Sequence, residues 1–153
     1  MTINYNAPVT CNAEIFIPVP IDIVWDVQTN ISEWSTWNKD VNHVQINESI
    51  SIGSTFRWKA KGLKIISTFK EIKPQTDLTW TGRMLGIRAI HSWSFEKKEG
   101  GVLVKTEESF EGFIIKLMPF IFRKILRKSL QSSLDALYAE CIRVNTLRQS
   151  LLF

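Results

Sequence analysis

A long stretch in which apolar and polar residues alternate, residues 41–112, constrains the fold more than any other feature. A two-residue period places successive side chains on opposite faces of a β-strand. Short turn-prone pieces divide the stretch, and connections this short join antiparallel neighbours, because a parallel crossover needs a dozen residues or more. The stretch therefore predicts an antiparallel meander. Its six predicted strands cover residues 43–46, 55–60, 63–72, 78–85, 87–95 and 102–110.

The segment before the meander predicts one more strand and two short helices. Residues 11–18 alternate weakly and end at a proline, as a first strand at a sheet edge would. Pro20 suits the first turn of a helix, where its missing N–H would have no partner anyway. Asn30 is followed three residues later by Glu33, which is the spacing of a capping box. A second short helix is therefore predicted over residues 31–37.

The segment after Gly112 has a helical period. Apolar residues spaced by four and three positions predict a long C-terminal helix with one buried stripe. Pro119 is expected at the start of this helix or at a kink that separates it from residues 113–118. The chain after Asn145 is expected to fray. The stripe consists of Phe122, Leu126, Leu130, Leu134, Leu137, Cys141 and Val144.

Together these elements predict an α+β fold made of a single domain, residues 1–153, with a core at about residues 11–145. A curved antiparallel sheet of seven strands has one apolar face to cover, and only the last helix is long enough to cover it. The two short helices lie between the first and second strands and cannot fill the concavity of a wide sheet. Space is therefore expected between the sheet and the C-terminal helix.

Several segments of the chain, taken in order, match a known superfamily. They are IPVPIDIVWDV (17–27), ISEWSTWNKDV (31–41), GSTFRW (53–58), LTWTGRMLG (78–86), HSWSFEKKEGGVLVKTEESFEG (91–112) and the final helix. In order and spacing they resemble the START-related (SRPBCC) superfamily, whose fold is called a helix-grip and which includes the birch pollen allergen group and the polyketide cyclase/dehydrase and lipid-transport families. The resemblance implies a deep, mostly apolar cavity for a lipid, sterol, polyketide or similar hydrophobic molecule. It implies no particular reaction, since members range from carriers to cyclases.

Strand alternation predicts which side chains face that cavity. Aromatic rings on the concave face, crossed by few polar groups, are typical of a small-molecule site, although inward aromatics also form plain core. The parity of residues 63–72 is ambiguous, because both choices mix apolar and polar residues. The predicted ligand-binding residues are Trp37, Phe56, Trp58, Trp80, Met84, His91, Trp93, Phe95, Glu108 and Phe110, with Phe113, Leu117, Met118 and Phe120 as gate residues.

Two ionisable residues, His91 and Glu108, are predicted on this concave face and close to cross-strand register. A carboxylate beside an imidazole suits acid–base chemistry such as an aldol-type cyclisation or a dehydration. The alternative is a hydrogen-bonded polar pair that tolerates burial or fixes a ligand's hydroxyl or carbonyl group. No nucleophile set, metal-ligand spacing or phosphate-binding loop accompanies the pair, so neither a metal nor a cofactor is expected.

The formal charge of +4 includes a cluster of four cations, Arg123, Lys124, Arg127 and Lys128. Such a cluster is commonly a solvated helix face, and its alternative partner is an anionic membrane that it contacts transiently. No finger spacing or basic-aromatic repeat indicates nucleic acid. The N-terminus shows no signal peptide, and Cys11 and Cys141 are expected as reduced thiols, so a soluble cytoplasmic protein is predicted.

Three of the six tryptophans fall within residues 24–41. Trp25 lies on the apolar side of the first short helix and is expected to anchor it under the sheet. Trp34 and Trp37 are three residues apart and are expected on one face of the second helix, at the rim of the cavity.

The sequence thus leaves three functions open. The first is binding or transport of a hydrophobic small molecule in the cavity. The second is a cyclase-like or dehydratase-like enzyme that uses His91 and Glu108. The third is a membrane-surface or partner-binding module that uses the basic segment 113–128.

Overall fold

A computed structural model describes residues 1–47 and 49–153. Over these residues the chain forms one seven-stranded antiparallel sheet, as predicted, and four α-helices, which are the two short helices and the long C-terminal helix of the prediction together with a further short helix. The strands are β1 (Val9–Ile17), β2 (Val41–Ile46), β3 (Thr55–Ala60), β4 (Leu63–Lys73), β5 (Asp77–Met84), β6 (Ile87–Lys98) and β7 (Gly101–Glu111). The helices are α1 (Ile21–Thr29), α2 (Trp34–Trp37), α3 (Phe113–Leu117) and α4 (Pro119–Ser150).

The strand order is β1-β7-β6-β5-β4-β3-β2, so the first strand lies at one edge beside the last, and the others form the meander. Two β-bulges interrupt the sheet, one between Asn42 and Gln45 in β2 and one between Phe69 and Glu71 in β4. A bulge increases the local twist and bends the strand. The bulges therefore help the sheet to curve around α4.

The bulge in β4 explains why its sequence pattern was ambiguous. Before the bulge Ile65 and Phe69 face the concave side and are buried. After it the parity switches, so that Ile72, an odd number of residues from Phe69, also packs against the core. No single alternation could fit both halves of this strand.

Helix α4 covers the concave face of the sheet with the predicted apolar stripe. Pro119 stands at its first position, where proline costs no hydrogen bond. Each fully buried leucine of the stripe contributes about 1.5–3 kcal/mol of transfer free energy. The buried residues of the stripe are Leu126, Leu130, Leu134, Leu137 and Cys141. The helix continues to Ser150, so the predicted fraying after Asn145 was wrong.

The predicted capping box at Asn30 does not form. A 3₁₀ turn, Ile31–Glu33, precedes α2, and the Asn30 side chain caps neither element. Its Oδ1 instead accepts a hydrogen bond from Ser32 Oγ at 3.1 Å. The core also begins earlier than about residue 11, because Ile3 is buried and the Asn4 backbone N–H donates to Ser109 Oγ at 3.1 Å.

Cys11 and Cys141 are both buried and unpaired with each other. Over the described ranges no helix is long and apolar enough to cross a membrane.

Candidate functional site

A cavity of about 180 Å³ lies between the concave face of the sheet and α4. Its volume slightly exceeds that of an engineered 150 Å³ protein cavity that admits benzene. The sheet contributes Val41, Trp58, Ala60, Leu63, Ile65, Ser67, Trp80, Gly82, Met84, Ile87, Ala89, His91, Glu108 and Phe110 to its lining, α4 contributes Phe122, Ile125, Leu126, Ser129 and Ser133, and the loops contribute Asn38, Asp40 and Lys61. The lining is thus mostly apolar, with a few polar side chains.

Small residues on both walls account for the space. Gly82 and Ala89 lie directly opposite each other on β5 and β6, and Ser129 and Ser133 lie one helical turn apart on α4. Larger side chains at these positions would meet across the gap. The exposed lining residues Leu63 and Ile125 mark where the cavity reaches the surface.

His91 and Glu108 are directly opposite each other on β6 and β7, as predicted. His91 Nδ1 lies 3.5 Å from Glu108 Oε2, and their side chains are only 10% and 12% exposed. His91 Nε2 lies 2.7 Å from the Thr106 hydroxyl. Thr106 donates its single hydroxyl hydrogen to the Ser92 carbonyl oxygen at 3.3 Å, so it accepts from His91 Nε2–H. The Nδ1 atom of this tautomer is an acceptor that faces Glu108.

Burial sets the ionisation of this pair. It lowers the pKa of His91 from 6.5 to about 3 and raises the pKa of Glu108 from 4.5 to about 8. Both shifts favour the uncharged form, because a charge loses its hydration inside the cavity wall. Near neutral pH the pair is therefore a neutral imidazole beside a protonated carboxyl group, which can donate a hydrogen bond to His91 Nδ1 or to a ligand.

Aromatic rings surround the polar pair. The His91 ring lies 4.9 Å from the Trp80 ring and 5.2 Å from the Trp93 ring, measured between centroids. Trp58, on the neighbouring wall, donates its indole N–H to Ser67 Oγ at 3.0 Å. His91 and Ser67 are thus held by hydrogen bonds among apolar rings.

Six of the predicted site residues line this cavity: Trp58, Trp80, Met84, His91, Glu108 and Phe110. Trp37 and Trp93 instead border a smaller void beside it. Phe56 and Phe95 face the predicted side but lie in closely packed core, where Phe95 meets the edge of Trp25 at 5.6 Å. Alternation predicts the face of a strand and not the position along it at which the interior opens.

The predicted gate residues lie outside the cavity lining. Phe113 is 78% exposed and Phe120 is 81% exposed, and Leu117 and Met118 also face solvent. The α4 residues nearest the mouth are Phe122 and Ile125. The four predicted gate residues therefore precede, in the chain, the part of α4 that borders the cavity.

Sequence reasoning missed the whole α4 side of the site. Phe122 belongs to the predicted stripe, and Ile125, Ser129 and Ser133 follow helical spacing beside it, which would have placed them on the flank of the buried face. The two tryptophans of the second helical segment also differ more than expected. Trp34 is buried and donates to the Gln28 carbonyl oxygen at 3.0 Å, whereas Trp37 is half-buried.

Comparison with known proteins places the chain in a family. The family model "Polyketide cyclase / dehydrase and lipid transport" matches residues 8–141. A search of the curated proteins found no match. Among solved structures, the hypothetical protein jhp0584 from Helicobacter pylori superposes with a TM-score of 0.80 at 17% identity, over 88% of this chain and 89% of that one.

Two further solved structures have the same fold. A START superfamily protein from Mycobacterium smegmatis gives a TM-score of 0.76 at 10% identity, over 88% of this chain and 98% of that chain. The protein TTHA0849 from Thermus thermophilus gives 0.76 at 16% identity, over 88% and 98%. At these identities the likeness concerns the fold alone. Family and fold together indicate a hydrophobic-ligand-binding or polyketide cyclase/dehydrase-like protein, and this chain belongs to the polyketide cyclase/dehydrase and lipid-transport family.

Proposed function

We propose that the protein binds a small hydrophobic molecule in the cavity between the sheet and α4. The observation that carries this proposal is a mostly apolar cavity of about 180 Å³ with one close polar pair in its wall, His91 Nδ1 and Glu108 Oε2 at 3.5 Å. Small-molecule sites combine an apolar lining with a few placed polar groups in this way. Transfer of the ligand from water supplies about 25 cal/mol for each Å² of apolar surface buried.

The volume limits the ligand to about one or two fused rings, since a 150 Å³ cavity already suits benzene. A long-chain lipid would need α4 to move away from β3 and β4 at the mouth. The proposed ligand is therefore a compact ring compound rather than an extended acyl chain.

The test is to block the cavity from α4. Ser129→Phe places a ring in the cavity, and Ala139→Phe adds the same ring on the exposed side of α4. Binding of 1-naphthol is measured through quenching of tryptophan fluorescence, and native mass spectrometry detects any molecule that copurifies with the protein. Ser129→Phe should weaken naphthol binding at least tenfold, whereas Ala139→Phe should leave it unchanged. Equal binding by both variants would place the ligand elsewhere.

A second candidate function, acid–base catalysis, is favoured by the position of His91 and Glu108 in the cavity wall. The uncharged Glu108 can give its proton to a ligand's carbonyl oxygen while His91 Nδ1 takes a proton from the adjacent carbon, which leaves an enol. The enol carbon can then attack a second carbonyl group, as in an aldol-type cyclisation, while the Glu108 carboxylate takes back the enol hydroxyl proton and the His91 imidazolium gives its proton to the new alkoxide, which restores both residues. A positioned acid and base of this kind contribute a rate factor of about 10²–10⁴ each.

Turnover of a poly-β-ketone surrogate tests the catalytic candidate. His91→Gln and Glu108→Gln should each lower kcat at least a hundredfold with the Kd of the surrogate changed less than threefold. Thr79→Val provides the control, because Thr79 is a buried β5 hydroxyl that pairs with Ser92 Oγ at 3.0 Å outside the cavity lining. Turnover that survives both glutamine variants would eliminate the pair as the catalyst.

A third candidate, contact with an anionic membrane, is favoured by the surface of α3 and the first turns of α4. Phe113, Leu117 and Phe120 are exposed there, and Leu85 in the β5–β6 turn is 80% exposed. The backbone of Gly112 approaches that turn so closely that a Cβ atom would lie 2.6 Å from the Gly86 oxygen. The exposed apolar side chains therefore project from one end of the molecule.

The charge of this end complements an anionic bilayer. Residues 113–134 include five cations, Lys116, Arg123, Lys124, Arg127 and Lys128, and no acidic residue. Arg123 also donates to the Pro8 carbonyl oxygen at 3.3 Å, so its removal would disturb the fold. Each of the other cations near the membrane contributes about 1 kcal/mol.

Vesicle flotation tests the contact. Replacing Lys124, Arg127 and Lys128 together by glutamine should lower binding to phosphatidylserine-containing vesicles at least tenfold, with no binding to phosphatidylcholine vesicles in either form. The control replaces the exposed sheet residues Lys70, Lys97 and Lys105 by glutamine, which removes the same charge elsewhere. If both triple variants lose binding equally, the net charge of the protein, and not this surface, causes binding to the anionic vesicles.

A further inference from the structure

Trp34, Trp58, Trp80 and Trp93 are among the tryptophans around the site, and two of the three indole N–H groups of Trp34, Trp58 and Trp93 are paired. Trp34 donates to the Gln28 carbonyl oxygen and Trp58 donates to Ser67 Oγ, each at 3.0 Å. The third, Trp93 Nε1, is the one buried side-chain nitrogen or oxygen without a hydrogen-bond partner among the residues that the structure describes. Trp93 is only 2% exposed.

An unpaired N–H at such a depth is costly, because the group loses its hydration and gains nothing in return. The rings beside Trp93 offer no acceptor at its nitrogen. Trp80 stacks on it at 6.4 Å with an interplanar angle of 25°, and His91 lies 5.2 Å away with its nitrogens directed to Thr106 and Glu108. Gln28, Asn38 and Ser133 border the same void as Trp93, and none of them accepts a hydrogen bond from Trp93 Nε1. A bound molecule would supply the missing acceptor.

A small void borders Trp93 and provides the room for such an acceptor. Its volume is about 40 Å³, and Trp58, Trp80 and His91 line both this void and the larger cavity. A space of this size holds one small group, since a water molecule occupies about 30 Å³ in the liquid. The void is thus an annex of the cavity with an unsatisfied donor in its wall.

We propose that this annex is the oxygen subsite of the ligand, and that Trp93 Nε1–H donates a hydrogen bond to an uncharged acceptor oxygen, such as a ketone carbonyl. This proposal rests on the proposed ligand-binding function and narrows its ligand class to compact ring compounds that carry a carbonyl or similar oxygen. The apolar rings occupy the larger cavity, and the oxygen reaches the annex. A carboxylate is disfavoured there, because its charge would be buried among aromatic rings beside an uncharged histidine.

A matched ligand pair tests the subsite. 1-Indanone and indane have nearly the same size and shape and differ in one carbonyl oxygen, and calorimetry gives the Kd of each. Trp93→Phe removes the donor and keeps an aromatic ring. We expect it to lower the ratio of indanone affinity to indane affinity about tenfold, as loss of a buried hydrogen bond does. Trp25→Phe makes the same change at a tryptophan that borders neither the cavity nor the annex, and it should leave the ratio within twofold of that of the original protein.

A second measurement needs no variant. The indole ¹H–¹⁵N resonance of Trp93 should move downfield when indanone is added. Its proton chemical shift should change much less when indane is added. The result that overturns the subsite is an unchanged affinity ratio in Trp93→Phe, or an indole resonance that responds equally to both ligands, as expected if a water molecule alone occupies the annex. If neither ligand binds at all, the ligand-binding function itself fails, which is a different outcome.

Discussion

The interior between the sheet and α4 has two ends. Both are formed by the same sheet and helix, but one is filled by side chains and the other encloses a cavity. At one end the rings of Phe56, Phe69 and Trp34 meet at centroid distances of 5.0–5.7 Å and pack with Leu134 and Leu137. At the other end the same sheet and helix enclose a cavity of about 180 Å³. We call them the packed end and the open end.

Side-chain size distinguishes the two ends. Large aromatic and leucine side chains converge at the packed end, while Gly82, Ala89, Ser129 and Ser133 face one another at the open end. A curved sheet therefore does not create a binding cavity by curvature alone. The cavity exists where both walls carry small residues at the same level, and the buried polar pair of His91 and Glu108 occurs at that level only.

Truncation of a leucine should cost more at the packed end than at the open end. Leu134 and Leu126 lie on the same stripe of α4 and are both almost completely buried. Leu134→Ala is expected to lower the free energy of unfolding by about 3–5 kcal/mol, and Leu126→Ala by about 2–3 kcal/mol, because Leu126 already borders the cavity and loses fewer contacts. Urea unfolding followed by circular dichroism measures both values.

Equal losses in these two variants would contradict the difference in packing. Tyr138→Ala on the exposed side of α4 serves as the control for a general loss of helix stability. It should change the free energy of unfolding by about 0.5 kcal/mol or less.

The open end should also make stability depend on pH, through Glu108. Its folded-state pKa is raised from 4.5 to about 8, so the folded state binds more protons than the unfolded chain between these values, and stability falls as pH rises. His91, with a pKa lowered from 6.5 to about 3, has the opposite effect below 6.5. The two effects cancel between about pH 4.5 and 6.5, and the loss from Glu108 remains above pH 6.5.

The free energy of unfolding should therefore fall by about 1 kcal/mol from pH 6.5 to 8, because Glu108 is half ionised at pH 8 and the remaining titration of His91 in the unfolded chain offsets part of the loss. Glu108→Gln, which cannot ionise, should remove this fall. Glu107→Gln, on the opposite face of β7, should keep it. A fall that persists unchanged in Glu108→Gln would assign it to another group.

Much of the fold follows from patterns that are local in the chain. The parity of β6 placed His91, Trp93 and Phe95 on the buried face because a strand buried on one side must alternate. The spacing of Leu130 and Leu134 located the covering helix for the same reason. These patterns reflect which side chains are buried, and the spacing of apolar residues along the chain shows this directly.

The limits of the candidate site depend on contacts between distant segments, which local patterns do not record. Ala89 and Phe95 share one face of β6, yet one borders the cavity and the other is packed, because different α-helical residues stand opposite them. The sequence also could not predict that the Trp93 N–H has no hydrogen-bond partner, because that depends on which groups the neighbouring side chains bind. The bulge in β4 likewise arises from pairing with β5.

Enlarging a side chain should change the free energy of unfolding less than the truncation of a leucine does, and by different amounts at the open end and the packed end. Ala89→Val adds two methyl groups toward the cavity, and Val102→Ile adds one methyl group at the packed end, where Val102 is completely buried. Ala89→Val should change the free energy of unfolding by about 0.5 kcal/mol or less, whereas Val102→Ile should lower it by about 1 kcal/mol, since a filled core has no room for an added group. Thermal unfolding measures both.

If Ala89→Val were the more costly change, the gap beside Ala89 would be too narrow for two methyl groups and hence for a ring. If the order is as expected, Ala89→Val should also weaken indane binding, because the added methyl groups take volume that the ligand needs, and Val102→Ile should not.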